Sequence, residues 1–248
     1  MQLCLAKGGL LEVEEKDRVK WIMRSRGLRE WLNYPKSKVL LINDLCDKVE
    51  TFGPTTFLSA KMLESLESIE PIITLHFFCS LHHTRTNGVR DDAVGIIKGL
   101  IVQLMSRSED WNLTSLDKDY LKKIEDGELD ILCSLFRLLI EQLPDMTLLF
   151  VVVDGIELYE RAQRRQGFLK AMKEVMRIVA DCQHSVMKLL LTCHGRNSFV
   201  QKFVDGKNVL IVPADVDGDY QGWSEHSWKK SIGKDVKGLG GIAAKDVS

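Results

Sequence analysis

The sequence predicts an α/β domain built around a mainly parallel, five-stranded β-sheet. Three observations support this prediction. Five short apolar runs alternate with helical segments, as expected when right-handed crossovers join parallel strands. The runs are continuously apolar, which is typical of strands that helices cover on both faces. The chain has 248 residues, 45% of them hydrophobic, and can therefore bury one large core.

The strands are predicted from runs of β-branched and aliphatic residues that have turn-forming residues at both ends. The five predicted strands are Val39–Ile42, Ile72–Phe78, Leu148–Val153, Val186–Thr192 and Val209–Val212. The third run is the longest stretch of purely apolar strand residues, so we expect it inside the sheet. The predicted helices are Glu14–Leu32, Pro54–Ser68, Asp92–Ser106, part of 111–126, Ile131–Leu143, Gln166–Cys182 and Ser198–Val204.

These elements divide the chain into three predicted segments. Residues 1–34 form an N-terminal amphipathic helical segment, and residues 35–213 form the α/β domain. Residues 214–248 are polar and carry little periodicity, so they are interpreted as a C-terminal tail or a truncated linker.

Composition restricts the class of partner. Lys and Arg number 34 against 35 Asp and Glu, and this balance argues against nucleic acid or an anionic membrane as the main partner. No apolar run is long enough to span a bilayer, and the six cysteines are scattered without a Cys-x-x-Cys pair. We therefore expect a cytoplasmic protein with free thiols and an unidentified protein partner.

The most distinctive candidate site residue is Asp154. It follows six apolar strand residues directly, and ligands of open α/β sheets bind outside the carboxyl ends of the strands. A carboxylate at that edge can hold a magnesium ion through oxygen ligands. The alternative is an ordinary turn, because Asp154 and Gly155 form a common turn pair.

Several stretches together resemble one family of signalling NTPases. The strand and loop Leu148–Glu157, the double aromatic Phe77–Phe78 and the run Leu100–Leu104 resemble NACHT-type domains of the STAND class, which are abundant in fungi. Trp31 before the first strand is similar to what precedes the phosphate loop in these proteins. In order of elements the resemblance spans Trp31–Val212.

The resemblance implies a three-layer P-loop NTPase-like domain with strand order 5-1-4-3-2. ATP or GTP with magnesium is then the candidate cofactor, and Asp154 is the candidate metal ligand. Glu157 falls where the family has its next acid, and it is the candidate catalytic residue that the resemblance implies. The candidate cofactor-binding residues that the resemblance implies are Asn43, Lys48, Gly53, Thr55, Thr192 and Arg196.

The chain also departs from the family pattern. A phosphate loop needs Gly-x-x-x-x-Gly-Lys-Ser/Thr, whereas here Pro54 follows Gly53 and supplies neither an amine nor an N–H group. Leu158 replaces the glutamate that activates water. Three acids in the loop would repel phosphate: Asp44, Asp47 and Glu50. We therefore expect a degenerate domain that acts as an interaction or regulatory module without efficient hydrolysis.

Two other functions stay open from the sequence. The first is a genuine ATP- or GTP-binding switch, or at most a weak nucleoside triphosphatase, that uses Lys48, Thr55 and Asp154 in an altered loop. The second is a small hydrolase built around Asp154, His194 and Cys193, and it requires an exposed, ionised thiol.

Overall fold

The computed structural model contains the predicted parallel sheet. It describes residues 1–45, 52–67, 69, 71–82, 92–145, 147–161, 163–195, 198–216, 222–235 and 239. The strands are β1 (Lys38–Asp44), β2 (Ile72–Phe78), β3 (Leu148–Asp154), β4 (Val186–His194) and β5 (Val209–Val212). Every pair is parallel, and the order β2-β3-β4-β1-β5 is the predicted order read from the other edge. The predicted fold class is confirmed.

The strand predicted to lie inside the sheet does so. All seven residues of β3 are buried, and β3 lies between β2 and β4. The strands β1 and β4 extend two residues further than predicted, and Asp44 pairs with His194 in the parallel register. This extension carries polar residues to the carboxyl edge of the sheet.

The α-helices that accompany the strands are numbered α1 to α10, and short 3₁₀ helices lie between some of the elements. The α-helices are α1 (Gln2–Gly8), α2 (Val13–Arg24), α3 (Arg26–Asn33), α4 (Pro54–Leu66), α5 (Cys79–His82), α6 (Ala93–Met105), α7 (Lys118–Asp126), α8 (Leu129–Glu141), α9 (Arg165–Asp181) and α10 (Glu225–Lys230). One hydrophobic core forms between the sheet and α6, α8 and α9. A second core forms against the opposite face, under α1 to α4 and α10. The result is a three-layer α/β fold.

The N-terminal helical segment differs from the prediction of one helix over Glu14–Leu32. Ser25 has an extended backbone, with φ −61° and ψ 139°, and separates α2 from α3. Its Oγ accepts a hydrogen bond from the Leu28 N–H at 3.3 Å and donates to the Ile22 carbonyl at 2.7 Å. Ser25 therefore caps α3, as serine does at helix N-termini. The helix α1 was not predicted.

The segment after residue 213 contains structure that its sequence did not indicate. The indole of Trp228 in α10 is 2% exposed, and its Nε1 donates to Ser65 Oγ at 2.9 Å. Ile232 is also buried in the core beneath α4. Part of the predicted tail thus packs on the α/β domain.

A lysine is buried in the central strand. Lys188 Nζ donates to the carbonyl of Trp31 at 2.9 Å and to the carbonyl of Tyr34. Burial and, to a lesser extent, the nearby charge of Lys38 lower the pKa of Lys188 to about 7. Because both carbonyls lie at the end of α3, this side chain joins that helix to the centre of the sheet.

None of the helices in the described part of the chain is long and apolar enough to cross a membrane.

Candidate functional site

Polar side chains meet where β1, β3 and β4 end, next to the first turn of α4. The residues that the strands bring there include Asp44, Asp154, Thr192 and His194, and all four are buried. This is the edge at which open α/β sheets bind ligands. Two predicted site residues, Asp154 and Thr192, lie in contact at its centre.

Both oxygens of the Asp154 carboxylate accept hydrogen bonds from threonines. Thr192 Oγ1 donates to Oδ1 at 2.6 Å, and Thr56 Oγ1 donates to Oδ2 at 2.7 Å. The Gly155 N–H donates to Thr192 Oγ1 at 3.1 Å. Gly155 has φ 73°, a left-handed conformation that glycine adopts without steric cost and that turns the chain away from β3. The carboxylate is thereby joined to β4 and to α4.

This carboxylate is fully buried. Burial raises the pKa of Asp154 because a charged carboxylate loses its hydration, whereas His194 and the hydroxyl donors Thr192 and Thr56 act in the opposite direction. A perturbed acid at a strand end is a candidate functional residue on physical grounds.

The helix α4 begins beneath the His194 ring. Gly53 is the N-cap, and Pro54 takes the first helical position. Proline fits there because an N–H at that position makes no hydrogen bond within the helix. Thr55 Oγ1 lies 3.1 Å from His194 Nε2. A Cβ atom added to Gly53 would lie 3.0 Å from His194 Cε1, so the imidazole lies against this first turn.

Glu157 contacts the backbone of the same strand end. Its Oε2 accepts a hydrogen bond from the His194 N–H at 3.0 Å. Burial raises the pKa of Glu157, and the nearby His194 partly offsets this. Leu158, which stands where the family has a water-activating glutamate, packs against the core. Of the two residues, only Glu157 can transfer a proton, and it already has a backbone partner.

Asp44 has its own cation. Arg18 Nε donates to Asp44 Oδ1 at 3.0 Å, and Nη2 contacts the same oxygen. Arg18 Nη1 donates to the Ala214 carbonyl at 2.8 Å. Because Arg18 neutralises its charge, Asp44 does not act as the solvent-facing phosphate repeller that the sequence suggested. Asp47 and Glu50 lie outside the described residues.

The other predicted ligand residues are dispersed or lie outside the described part of the chain. Asn43 is buried at the end of β1, and its Nδ2 donates to Gln201 Oε1 at 3.3 Å. Lys48 and Arg196 fall in stretches that the structure does not describe. Asn43 contacts a side chain from the segment before β5, and Thr55 contacts His194.

Three important residues were missed from the sequence. Thr56 lies on the same helix face as Ala60 and Leu63, the face that packs on the sheet, and this spacing could have identified it. Arg18 gives no local signal, because it lies 26 residues from Asp44. The third is Glu160, in the charged run that follows the central strand. It is buried and accepts bonds from Ser198 Oγ at 2.8 Å, Phe199 N at 2.9 Å and Val200 N at 2.8 Å.

The hydrolase alternative is not supported by the cysteines. Cys193 is 1% exposed, and burial raises the pKa of its thiol far above the usual range. Cys4, Cys79 and Cys133 are also free and buried. A protonated, inaccessible thiol is a poor nucleophile. Within the described ranges, no group of three or more His, Cys, Asp or Glu side chains could hold a metal ion.

The described residues do not fit a magnesium-bound nucleoside triphosphate held in the P-loop manner. Pro54 stands where the phosphate-binding lysine would be, and His194 covers the helix turn that would face the phosphates. Both Asp154 oxygens already accept hydroxyl protons. Most polar groups at this edge therefore bond to one another, whereas two buried oxygens, Asn43 Oδ1 and Asp44 Oδ2, have no partner among the described residues.

Comparison with known proteins identifies a family for most of the chain. The profile of the family described as Nephrocystin 3, N-terminal, matches residues 17–194, from within α2 to the last residue of β4. A search of curated proteins found no significant match. Because the profile covers more than half of the sequence, this chain belongs to the Nephrocystin 3, N-terminal family.

Proposed function

We propose that this chain is a degenerate NACHT-like NTPase-fold domain that serves as a cytoplasmic interaction or regulatory module and does not hydrolyse nucleotide efficiently. The observation that carries the proposal is that most polar side chains at the strand ends already bond to one another. Asp154 bonds Thr56 and Thr192, Asp44 pairs with Arg18, and His194 lies against Thr55. The family and the parallel α/β fold are compatible with this assignment.

The chemistry of the site also argues against efficient turnover. Hydrolysis needs a base that orients the attacking water, and Leu158 cannot fill that role. The neighbouring Glu157 carboxylate is bonded to the His194 N–H. The fold nevertheless keeps a hydrophobic core on each face of the sheet. A protein-binding or regulatory domain needs such cores to stay folded.

The direct test is steady-state hydrolysis of ATP and GTP by the purified chain with and without magnesium. We expect no turnover above that of the Asp154→Ala variant measured in parallel. Asp154→Ala could destabilise the fold, so Thr56→Ala, which removes one hydroxyl partner of Asp154, serves as a second variant. Magnesium-dependent turnover that both substitutions abolish would refute the proposal.

A second candidate is an ATP- or GTP-binding switch. The observation that favours it is the orientation of α4, whose N-terminal turn with Thr55 and Thr56 faces the strand end that carries Asp154. A helix N-terminus attracts anions through its backbone N–H groups. Calorimetric titration with ATP and GTP discriminates the two functions. Saturable, magnesium-dependent binding that Thr55→Ala weakens would favour the switch, whereas no heat of binding favours the interaction module.

A further inference from the structure

The strand β2 forms one edge of the sheet. Among the described residues, β2 pairs only with β3. In a parallel pair the backbone groups of alternate residues face away from the neighbouring strand, and in β2 these residues include Thr74 and His76. The strand sequence Ile-Ile-Thr-Leu-His-Phe-Phe carries no Lys, Arg, Asp or Glu. Burial lowers the pKa of His76 to about 4, so this side chain adds no charge at neutral pH.

A glutamine side chain covers the outer backbone of His76. Gln103 of α6 accepts a hydrogen bond from the His76 N–H through Oε1 at 2.9 Å. Its Nε2 donates to the His76 carbonyl at 2.9 Å and to the Gly99 carbonyl at 3.0 Å. The amide therefore pairs with both backbone groups of His76, as a neighbouring strand would, and both Nε2 protons have acceptors.

Two further contacts close the same edge. Arg107 Nη2 donates to the Thr74 carbonyl at 3.1 Å, and the Ile72 N–H donates to the Ile69 carbonyl at 2.9 Å. Four outward backbone groups of β2 thus have partners within the chain. Uncovered edges of apolar, uncharged strands are templates for pairing with another chain.

We propose that Gln103 acts as a surrogate strand that closes the free edge of β2 and prevents this edge from pairing with the β2 edge of a second copy. This gives a structural role to the run Leu100–Leu104, which contributed to the family resemblance. Arg107 assists by occupying the next outward carbonyl.

The chain contains a matched control for this proposal. Gln142 accepts from the Asn112 N–H at 2.7 Å and donates to the Asn112 and Leu138 carbonyls, each at 3.2 Å. Its amide thus makes the same three kinds of bond, but to a connecting segment instead of a strand edge. Gln103→Ala and Gln142→Ala therefore remove equivalent hydrogen bonds, and only the first uncovers a sheet edge.

The experiment combines sedimentation velocity over a concentration series with amide hydrogen exchange. In Gln103→Ala we expect several-fold faster exchange at His76 and self-association that increases with concentration, whereas Gln142→Ala sediments like the wild type. Gln103→Met keeps the length of the side chain but neither donates to nor accepts from the His76 backbone and adds no charge, so it should associate as Gln103→Ala does. If Gln103→Ala folds poorly, Gln103→Met alone decides. Association no greater than that of Gln142→Ala, in whichever Gln103 variant folds, would overturn the proposal.

Discussion

Asp154 combines full burial with two hydroxyl donors, and these have opposite effects on its ionisation. Burial is the larger effect, so the folded-state pKa lies above the unfolded value. The folded state then binds the proton more tightly than the unfolded state. The contribution of this group to stability is fully present below the unfolded pKa and is lost as the pH rises through the folded pKa.

The first prediction concerns Asp154→Asn. The substitution removes this titration and keeps an oxygen that accepts a hydroxyl proton. We expect the free energy of unfolding of Asp154→Asn, relative to wild type, to increase as the pH rises from about 4. Urea unfolding at a series of pH values measures this difference. Asp110→Asn changes an exposed carboxyl and serves as the control; a pH-independent difference for Asp154→Asn would contradict the argument.

The second prediction concerns Arg18, which pairs with Asp44 in the interior. Arg18→Met leaves a buried carboxylate without its cation, and we expect a loss of about 3–5 kcal/mol in the free energy of unfolding. The double variant Arg18→Met/Asp44→Leu should recover much of that loss, because it removes the unpaired charge. Arg26→Met, in an exposed pair, should leave denaturant stability unchanged. Equal effects of Arg18→Met and Arg26→Met would show that the buried pair adds nothing.

The sequence identified the strand-end residues of the site better than their partners. Asp154 and Thr192 were predictable because each ends an apolar strand, and the carboxyl ends of parallel strands converge. The Arg18 contact was not, since it joins residues that are 26 positions apart in the sequence. The choice of Thr55 over Thr56 followed the family spacing, whereas the helix face that meets the sheet determines which hydroxyl reaches Asp154.

At the scale of the elements, the docking of the helix α10 on the domain can be tested directly. The third prediction is that Trp228→Ala lowers the free energy of unfolding by about 3–5 kcal/mol, because it leaves a large cavity beside α4 and removes the bond to Ser65. Chemical denaturation followed by circular dichroism measures the change. Leu121→Ala, at an exposed position, is the control. A Trp228→Ala protein as stable as the control would mean that α10 is not docked in solution.

The strands were predicted more accurately than the helices because their apolar runs are short and sharply bounded. The limits of β2 and β5 match the prediction, and β3 is one residue longer. The break at Ser25 was missed because the apolar stripe continues across it from α2 to α3. The helix α10 was missed because Trp228 is a single large residue in a polar stretch, and its burial depends on α4.

At the scale of the molecule, the N-terminal segment is part of one face of the fold. The helices α1 to α3 contribute Cys4, Val19, Ile22, Leu28 and Trp31 to the core over the sheet, and the Trp31 ring meets Phe150 edge-on with centroids 5.7 Å apart. The family match also begins within α2. The sequence-based boundary at residue 34 therefore separates residues that share a core.

The fourth prediction follows from this shared core. A fragment of residues 35–248 would expose one apolar face of the sheet, and we expect it to bind a hydrophobic dye and to unfold without a cooperative transition. A fragment that starts at Glu12 loses only α1 and should keep a cooperative transition at lower denaturant. Cooperative unfolding of the 35–248 fragment at wild-type denaturant concentrations would contradict this prediction.

The predicted strand order, which the family resemblance implied, was correct, and the alternation of strands and helices favoured the parallel pairing. The assignment of helices to the two faces was not predictable in the same way. The sequence of each helix shows only that the helix has an apolar side. The face of the sheet on which that side packs depends on strands that are distant in the sequence.

The buried cysteines make thiol labelling a measure of how often the whole fold opens. Burial raises the pKa of Cys4 to about 11 and that of Cys133 to about 12, and the thiols of Cys79 and Cys193 are also shifted upward. Cys182 is only half-buried. An alkylating reagent at neutral pH should therefore modify Cys182 early, whereas Cys79, Cys133 and Cys193 react together at the rate at which the core that they share comes apart. Mass spectrometry of the time course would report the opening rate without added denaturant.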